Sequence, residues 1–342
     1  MAEGLEPEHQ AHAWKEAYLG GSLEEEERLI ASFAAEIKEV QERNRRPDGG
    51  IRRAFHAKTH AGIVDAEFRV LPDIGRDLAR GIFVPGAADQ AIVRFSNGAG
   101  TIETDSRRDL RGVAIRVVGE DGRTQDFLLT NAPASHARDA YQFMAAAKAS
   151  AGRSKPLAVL ALVKTLGLRE AWRMLRSLSS ATSRDVESLA TEQFWSRAPF
   201  AIGPFAVKFT LVPTASSRGA TLAAGDNYLR DDLTRRLKDD AVRFRLQAQR
   251  YVDDSTTPIE DGAVEWNERD APPEDVAELV IPRQDLTTAA AREAEEMVDR
   301  LAFSPWTSSQ EIRPIGSLNR ARRLVYETGA AYRNSSAPRD VP

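Results

Sequence analysis

Between residues 51 and 130 the sequence alternates short apolar segments with turn residues, and this pattern restricts the fold more than any other. Segments such as AEFRVL, AIVRFSNG and RGVAIRVV carry apolar residues at alternate positions, with Gly, Pro, Asn and Asp at the joints. Such alternation is typical of antiparallel strands. The density of the segments favours a closed barrel over an open sheet. We expect its interior to include the polar side chains of His56, Arg94 and Ser96.

Strand-like patterns return in the second half of the chain, between segments with helical spacing. FAVKFTLVPTAS at 205–216, AVRFRLQAQRYV at 241–252 and AELVIP complete the predicted barrel. Helices are predicted at 22–44, where Ser22 and Glu25 form a capping box, and at 136–150, 156–178 and 185–196, with others near 226–240, 287–306 and the C-terminus. The predicted fold class is therefore α+β.

Composition excludes several classes of protein. The 342 residues are 42% hydrophobic and 29% charged, which is typical of a globular protein. The net charge of −4 argues against a general nucleic-acid binder. The absence of cysteine excludes disulfides, Fe–S clusters, thiolate ligands and covalent haem attachment. With neither a signal-peptide pattern nor an apolar run long enough to span a bilayer, we expect a cytoplasmic protein without an integral membrane segment.

The segment RRLVYETGAAYR, residues 322–333, is the first that points to a cofactor. In a helix, Arg322, Tyr326 and Arg333 fall on one face, because they are four and seven residues apart. A cation beside a phenol favours the phenolate, and tyrosinate is an axial ligand that haem iron accepts. On spacing alone, the segment is more typical of an exposed basic helix that has a tyrosine in the core.

Two upstream features suggest the other face of such a site. Arg94 and Ser96 share one face of a strand, and a buried arginine needs an anion that the local sequence does not supply. His56 and His60 form an H-x-x-x-H pair, but the β-like flanks argue against a helical metal site. A single histidine acting as acid and base fits this segment better. We expect His136 to be structural.

The segments RRAFHAKTHAG, VRFSNGAGT, DSRRDLRGVAIRV and QDFLLTNAP precede the Arg-x-x-x-Tyr helix in this order. The combination resembles the haem catalase family over about residues 50–335. The resemblance implies a haem-containing antiparallel β-barrel surrounded by helical segments. It also implies that Tyr326 is the ligand of the haem iron and Arg322 its partner. His56 matches the distal histidine, Ser96 the serine that orients it, and Phe143 the phenylalanine that stacks on a pyrrole ring.

The same resemblance assigns three arginines to the haem propionates. Arg53, Arg94 and Arg333 match the arginines that hold these carboxylates in the family. A propionate would then be the anion that Arg94 lacks.

The distal segment departs from the family pattern. The family has an asparagine in a GNNTP-like run, where this chain reads LTNAP. Counting back from Pro133 puts Thr130 in its place with Asn131 beside it, and either residue could act there. Phe55 stands where valine precedes the distal histidine. The chain also lacks most of the long N-terminal arm of the large tetrameric enzymes.

The resemblance implies a small catalase-related haem peroxidase that contains haem b. It would reduce H2O2 and organic hydroperoxides through a ferryl intermediate, with an organic electron donor. A true catalase, allene-oxide-synthase-like processing of lipid hydroperoxides and a haem-binding module without turnover are the alternatives. The apolar 156–178 helix is interpreted as a core or subunit-interface helix, a lip for apolar substrates or a peripheral membrane contact. We expect an arm and helix at 1–48, a haem-binding barrel domain with helical insertions at 49–335, a tail at 336–342, and a homodimer.

Overall fold

The computed structural model describes residues 11–45, 50–151, 154–214 and 225–335. The predicted tail at 336–342 and the first ten residues of the predicted arm lie outside these ranges. The helices are α1 (Leu23–Arg43), α2 (Ala140–Ser150), α3 (Lys155–Leu166), α4 (Leu168–Ala181), α5 (Tyr228–Asp239), α6 (Ala289–Arg300) and α7 (Ser317–Ser335), with a 3-10 turn at Leu19–Gly21. The strands are β1 (Thr59–Val70), β2 (Ala88–Asn97), β3 (Arg111–Val118), β4 (Thr124–Thr130), β5 (Phe194–Trp195), β6 (Phe200–Ile202), β7 (Phe205–Pro213), β8 (Val242–Arg250), β9 (Pro273–Ile281) and β10 (Ile312–Pro314).

Eight of these strands close an antiparallel barrel, in the order β1-β2-β3-β4-β5-β7-β8-β9 and back to β1. The strands β6 and β10 extend the sheet beyond β7. The longest pairings are β1–β2, β2–β3 and β8–β9, each over eight residue pairs. The barrel and its helices confirm the predicted fold class.

The barrel interior is apolar, and the expectation that it holds polar side chains was wrong. Phenylalanine rings fill it, among them Phe68, Phe95, Phe127, Phe209 and Phe244. Side chains alternate between the two faces of a strand. Because Val93 and Phe95 point inward on β2, Arg94 and Ser96 lie on the opposite face of the sheet. His56 precedes β1 and lies outside the barrel as well.

Helix α1 packs against the C-terminal helix on this outer side. Its first turn is capped by Ser22, whose Oγ accepts a hydrogen bond from the Glu25 amide at 3.2 Å, as predicted. Its apolar face, which includes Phe33 and Ile37, joins a cluster with residues of α2 and α7. The side-chain amide of Gln41 donates through Nε2 to the backbone carbonyl oxygens of Arg52 and Gly329. Helix α1 is thus part of the structure that encloses the space outside the barrel.

Several predicted elements differ in the structure. The apolar stretch at 156–178 forms two helices, because Gly167 adopts a φ of +80° between α3 and α4. The predicted helix at 185–196 is irregular and ends in β5. Helix α2 begins at Ala140, capped by Asp139, so that His136 lies in the preceding loop. None of the helices within the described ranges is both long and apolar enough to cross a membrane.

Candidate functional site: a cavity outside the barrel

A cavity of about 610 Å3 lies between the outer face of strands β2, β3 and β4 and the helices α1, α2 and α7. The structure brings almost all of the predicted site residues to its walls: Arg53, His56, Arg94, Ser96, Thr130, Phe143, Arg322, Tyr326 and Arg333. A space of this size is typical of sites that enclose a small molecule or cofactor. The other predicted site residue, Asn131, does not line it.

The strand register explains why the barrel side of the cavity has room. Ser96, Gly112 and Thr130 lie side by side on β2, β3 and β4. A Cβ atom at Gly112 would lie 2.7 Å from both Cε1 and Nδ1 of His56, which is closer than real contacts allow. The missing side chain at Gly112 therefore makes space for the imidazole against the sheet.

His56 is held in one orientation by its backbone and by its ring. Its φ of +56° is unusual for a residue other than glycine, and such conformations persist where the surroundings impose them. The backbone amide donates to the carbonyl oxygen of Gly98 at 3.1 Å, and Nδ1 lies 3.1 Å from Ser96 Oγ. Burial, reinforced by the positive charge of Arg94, lowers the pKa of His56 to about 3. The imidazole is consequently neutral at ordinary pH, and with its hydrogen on Nδ1, donated to Ser96 Oγ, it can accept a proton at Nε2.

Arg94 has an anionic partner that the sequence did not reveal. Its Nη2 lies 3.1 Å from Oδ1 of Asp299, in the last turn of α6, and also donates to the carbonyl oxygen of His56 at 2.8 Å. The same Asp299 oxygen accepts a hydrogen bond from Thr59 Oγ1 at 2.7 Å. The inference that Arg94 depends on a cofactor for its counter-charge was therefore wrong, because Asp299 supplies one carboxylate.

The arginine cluster still carries more positive than negative charge. Arg53 and Arg94 share the Asp299 carboxylate, with Arg53 Nε 3.9 Å from it. Within the described ranges, Arg333 Nη2 and Arg53 Nε are buried without a hydrogen-bond partner. Burial and the neighbouring arginines lower the pKa of the Arg53 guanidinium well below its usual value, and burial also lowers the pKa of Arg333. Three guanidinium groups around one carboxylate can accommodate two further negative charges.

Helix α7 presents the predicted tyrosine to the opposite wall of the cavity. Arg322, Tyr326 and Arg333 all lie on its cavity face, as the helical spacing predicted. Arg322 Nη1 donates to Asn319 Oδ1 at 3.1 Å, which fixes the guanidinium one turn before the phenol. The ring of Tyr326 packs beside the apolar cluster formed by α1, α2 and α7.

The structure distinguishes the two candidate residues at the end of β4. Asn131 Oδ1 accepts from the Arg111 amide at 2.7 Å, and its Nδ2 donates to Glu192 Oε2 at 3.1 Å. These bonds keep the Asn131 amide away from the cavity, so we drop it as a site residue. Thr130 lines the cavity, and its Oγ1 accepts a hydrogen bond from Arg197 Nη1 at 3.2 Å.

Two residues of the cavity wall, Arg197 and His136, were missed from the sequence. Arg197 is 8% exposed with a φ of +61°, and burial together with the charge of Arg322 lowers its pKa to about 10. His136, expected to be structural, lies with its ring centroid 5.4 Å from that of Phe143, and burial lowers its pKa to about 3. The position of Arg197 within the apolar stretch FWSRAPFAI is a sequence signal for a buried arginine. The sequence contains no comparable signal for His136.

The residues around the cavity fit a haem. Tyr326 offers an oxygen ligand of a type that haem iron accepts. The unpartnered nitrogen atoms of Arg53 and Arg333 fit the two carboxylates of its propionates. Phe143 supplies an aromatic surface, with its centroid 5.5 Å from that of Phe55. No group of three His, Asp or Glu side chains that could hold a metal ion occurs in the described parts of the chain. His60, buried on β1, does not line the cavity.

Comparison with known proteins shows a similarity to catalases. A family model described as Catalase matches residues 32–158. Among solved structures, a fungal catalase superposes with a TM-score of 0.67 at 18% identity, covering 95% of this chain and 66% of its own. A bacterial catalase has a TM-score of 0.62 at 18% identity, with coverages of 100% and 70%. For catalase A from Saccharomyces cerevisiae the TM-score is 0.65 at 17% identity, with coverages of 94% and 68%. No curated protein matches the chain.

The solved structures show that the chain has the catalase fold, and it spans about two thirds of the length of the solved catalases that it matches. The match to the Catalase family model is confined to residues 32–158.

Proposed function

We propose that the protein is a haem-dependent peroxidase that reduces H2O2 and organic hydroperoxides with electrons from an organic donor. The observation that carries this proposal is the neutral, oriented imidazole of His56 on the same cavity as the phenol of Tyr326. A proton acceptor and an iron ligand on one cavity are what hydroperoxide cleavage at a haem requires.

The bound haem would supply the redox chemistry at its iron, and the residues of the chain would hold it and move protons. Tyr326 Oη is the proposed iron ligand, and Arg322 lies one helical turn before it on the same face of α7. Arg53, Arg94 and Arg333 would hold the propionates and Phe143 a pyrrole ring. These roles rest on the cavity position of each side chain.

On the distal side, His56 would take the proton of the hydroperoxide on Nε2. It would then return this proton to the departing oxygen, so that water or an alcohol leaves. Ser96 positions the ring through Nδ1 at 3.1 Å. Because the pKa of His56 is about 3, the ring is unprotonated across the physiological range.

Peroxidase activity is preferred over H2O2 dismutation because of the end of β4. The hydroxyl of Thr130 accepts from Arg197, and the amide of Asn131 is engaged with Arg111 and Glu192. Neither residue offers His56 the amide neighbour that the catalase pattern has. Apolar side chains such as Met144, Leu178 and Val325 line much of the cavity and suit an organic hydroperoxide.

The test compares two reactions of the haem-loaded protein. Oxidation of a chromogenic donor by H2O2 and by cumene hydroperoxide should exceed oxygen release from H2O2. His56→Ala should retain haem and lose both reactions, whereas His12→Ala, at an exposed position, should behave like the wild type. Rapid oxygen release with negligible donor oxidation would identify a true catalase. Consumption of a fatty-acid hydroperoxide without any donor would identify allene-oxide-synthase-like chemistry.

The same proposal includes the finer properties of the protein. We assign haem b, since a chain without cysteine cannot attach haem through thioethers. We also propose a cytoplasmic homodimer in which residues 49–335 form the haem-binding unit and α1 completes its wall. Ile37 and Gln41 of α1 line the cavity, which supports this role of the helix. Light scattering of the haem-loaded protein tests the dimer.

A further inference from the structure

Helices α3 and α4 form a hairpin whose outer surface is apolar and basic. We call this surface the hairpin face and define it by Leu157, Leu160, Lys164, Leu168, Trp172 and Arg176. Leu168 and Trp172 are 74% and 61% exposed, more than the other large apolar side chains of the described ranges. Solvent-exposed apolar side chains grouped in this way mark interaction sites.

The helical spacing separates an outer from an inner side of α4. Leu168, Trp172 and Arg176 are four residues apart and form one exposed stripe. Ala171 and Met174 are buried on the inner side, where they pack with residues of α2 and α3. The apolar residues of the outer stripe are therefore not needed for the packing of the hairpin.

The charges of the hairpin are positive and lack carboxylate partners. Lys155, Lys164, Arg169 and Arg176 are exposed, and no carboxylate of the described residues forms an ion pair with them. Glu170, the single acid of the two helices, is engaged by Arg173 and Arg138 at 2.9 and 3.3 Å. Since the whole chain has a net charge of −4, this positive surface is local.

We propose that the hairpin face docks the protein on the surface of an anionic lipid bilayer. Helices that lie in a membrane interface combine Lys and Arg with Trp and Leu in this way. Leu168 and Trp172 would insert among the acyl chains. The anionic headgroups would neutralise the four exposed cations of the hairpin, which are Lys155, Lys164, Arg169 and Arg176. A symmetric contact with a second copy is disfavoured, because an isologous interface would bring two basic surfaces together.

The cavity reaches the surface close to the hairpin. Ser150 and Leu178 line the cavity and are also exposed, so the opening lies between the end of α2 and the inner side of α4. The docking itself does not depend on the proposed reaction, and its test needs no turnover.

The test is sedimentation of the haem-loaded protein with vesicles. We expect binding to vesicles of phosphatidylcholine mixed with phosphatidylglycerol, weakening with added salt, and little binding to phosphatidylcholine alone. Arg169→Ala should lower the partition coefficient roughly fivefold, as expected for one basic residue near an anionic surface. Leu168→Ser with Trp172→Ser should abolish binding.

Matched controls separate docking from general surface effects. Arg76→Ala removes an exposed arginine elsewhere, and Val84→Ser with Ile102→Ser removes two exposed apolar side chains elsewhere. These variants should bind like the wild type, and the haem absorption spectrum checks that every variant is folded. Absence of binding to the mixed vesicles would overturn the proposal, as would undiminished binding of the Leu168→Ser, Trp172→Ser variant. Self-association that this double variant removes, without vesicle binding, would instead identify a protein interface.

Discussion

The guanidinium of Arg94 and the carboxylate of Asp299 form an ion pair, with Nη2 and Oδ1 3.1 Å apart, that joins the barrel to the end of α6. The same carboxylate oxygen receives the Thr59 hydroxyl, and Arg53 donates to the backbone carbonyl oxygens of Asp299 and Leu301 at 2.7 Å. One acidic residue thereby positions the arginines at the side of the cavity where propionates would bind.

Asp299→Asn should destabilise the haem-free protein by about 1–3 kcal/mol. Arg94 is only 3% exposed and would lose its charged partner, although the half-exposed Asp299 side chain makes the loss smaller than for a fully buried pair. Haem should reduce the loss, since propionates would supply the missing charge. Urea unfolding with and without haem measures both values. Asp121→Asn, at an exposed pair with Arg123, is the control, and equal losses in the two states would contradict the proposed propionate contacts.

Tyr326→Phe should abolish the tyrosinate charge-transfer bands and accelerate haem loss. The substitution removes the only oxygen of the side chain and leaves the ring packing with α1 and α2 intact, so the fold should be retained. Absorption spectra and the rate of haem transfer to a scavenging protein give the two readouts. Tyr332→Phe, on the same helix and not on the cavity wall, should change neither. An unaltered spectrum in the Tyr326 variant would refute the assigned ligand.

The reaction of the protein with peroxide should be independent of pH between about 8 and 5, because His56 stays neutral when its pKa is about 3. Stability should behave differently. In the unfolded chain a histidine takes up a proton near pH 6.5, whereas in the folded protein His56 stays neutral down to about pH 3. The free energy of unfolding should therefore fall as the pH falls from about 6.5 towards 3. The pKa of His136 is also about 3 and adds to the same loss. Rapid-mixing kinetics and urea unfolding as functions of pH check both trends; a fall in rate with a midpoint near 6.5 would show an imidazole that titrates normally.

Thr130→Asn should shift the protein towards oxygen release from H2O2. The new amide would lie on the cavity wall next to Gly112 and two strands away from Ser96. The imidazole of His56 lies against the same wall at Gly112. One added hydrogen bond to the reacting peroxide corresponds to an increase of roughly tenfold in oxygen release relative to donor oxidation. Thr130→Val removes the hydroxyl without adding an amide and controls for the loss of the Arg197 contact. An equal increase in both variants would mean that the amide is not the cause.

The parts of the site that follow a local period could be predicted from the sequence. Helical spacing placed Arg322, Tyr326 and Arg333 on one face, and the structure has them on one cavity wall. Strand alternation could also have separated Thr130 from Asn131, since adjacent residues point to opposite faces and Asn131 could not share the cavity side with Thr130. Strand alternation also puts Arg94 and Ser96 on one face of β2, but it does not tell which face of the barrel is filled with phenylalanine.

The parts that depend on distant contacts could not be predicted. Arg94 and Asp299 are 205 positions apart, and their pairing exists only because α6 ends beside β2. Arg197 reaches the cavity through a left-handed backbone after a two-residue strand, which no periodic pattern indicates. The segment 185–196 has helical spacing, but Val186, Leu189 and Phe194 bury their side chains in the barrel core. Tertiary burial there outweighed local propensity.

The proposed chemistry depends on the lack of a Cβ atom at Gly112. Its hydrogen leaves the imidazole of His56 the space that a methyl group would fill, 2.7 Å from the ring. Gly112 belongs to β3, on the barrel wall of the cavity. Tyr326, Arg322 and Arg333 belong to α7, on the opposite wall. We therefore expect alanine at this position to leave the proposed haem contacts of α7 in place and to displace the imidazole of His56, so that a single methyl group would separate the proposed peroxidase from a protein that only binds haem.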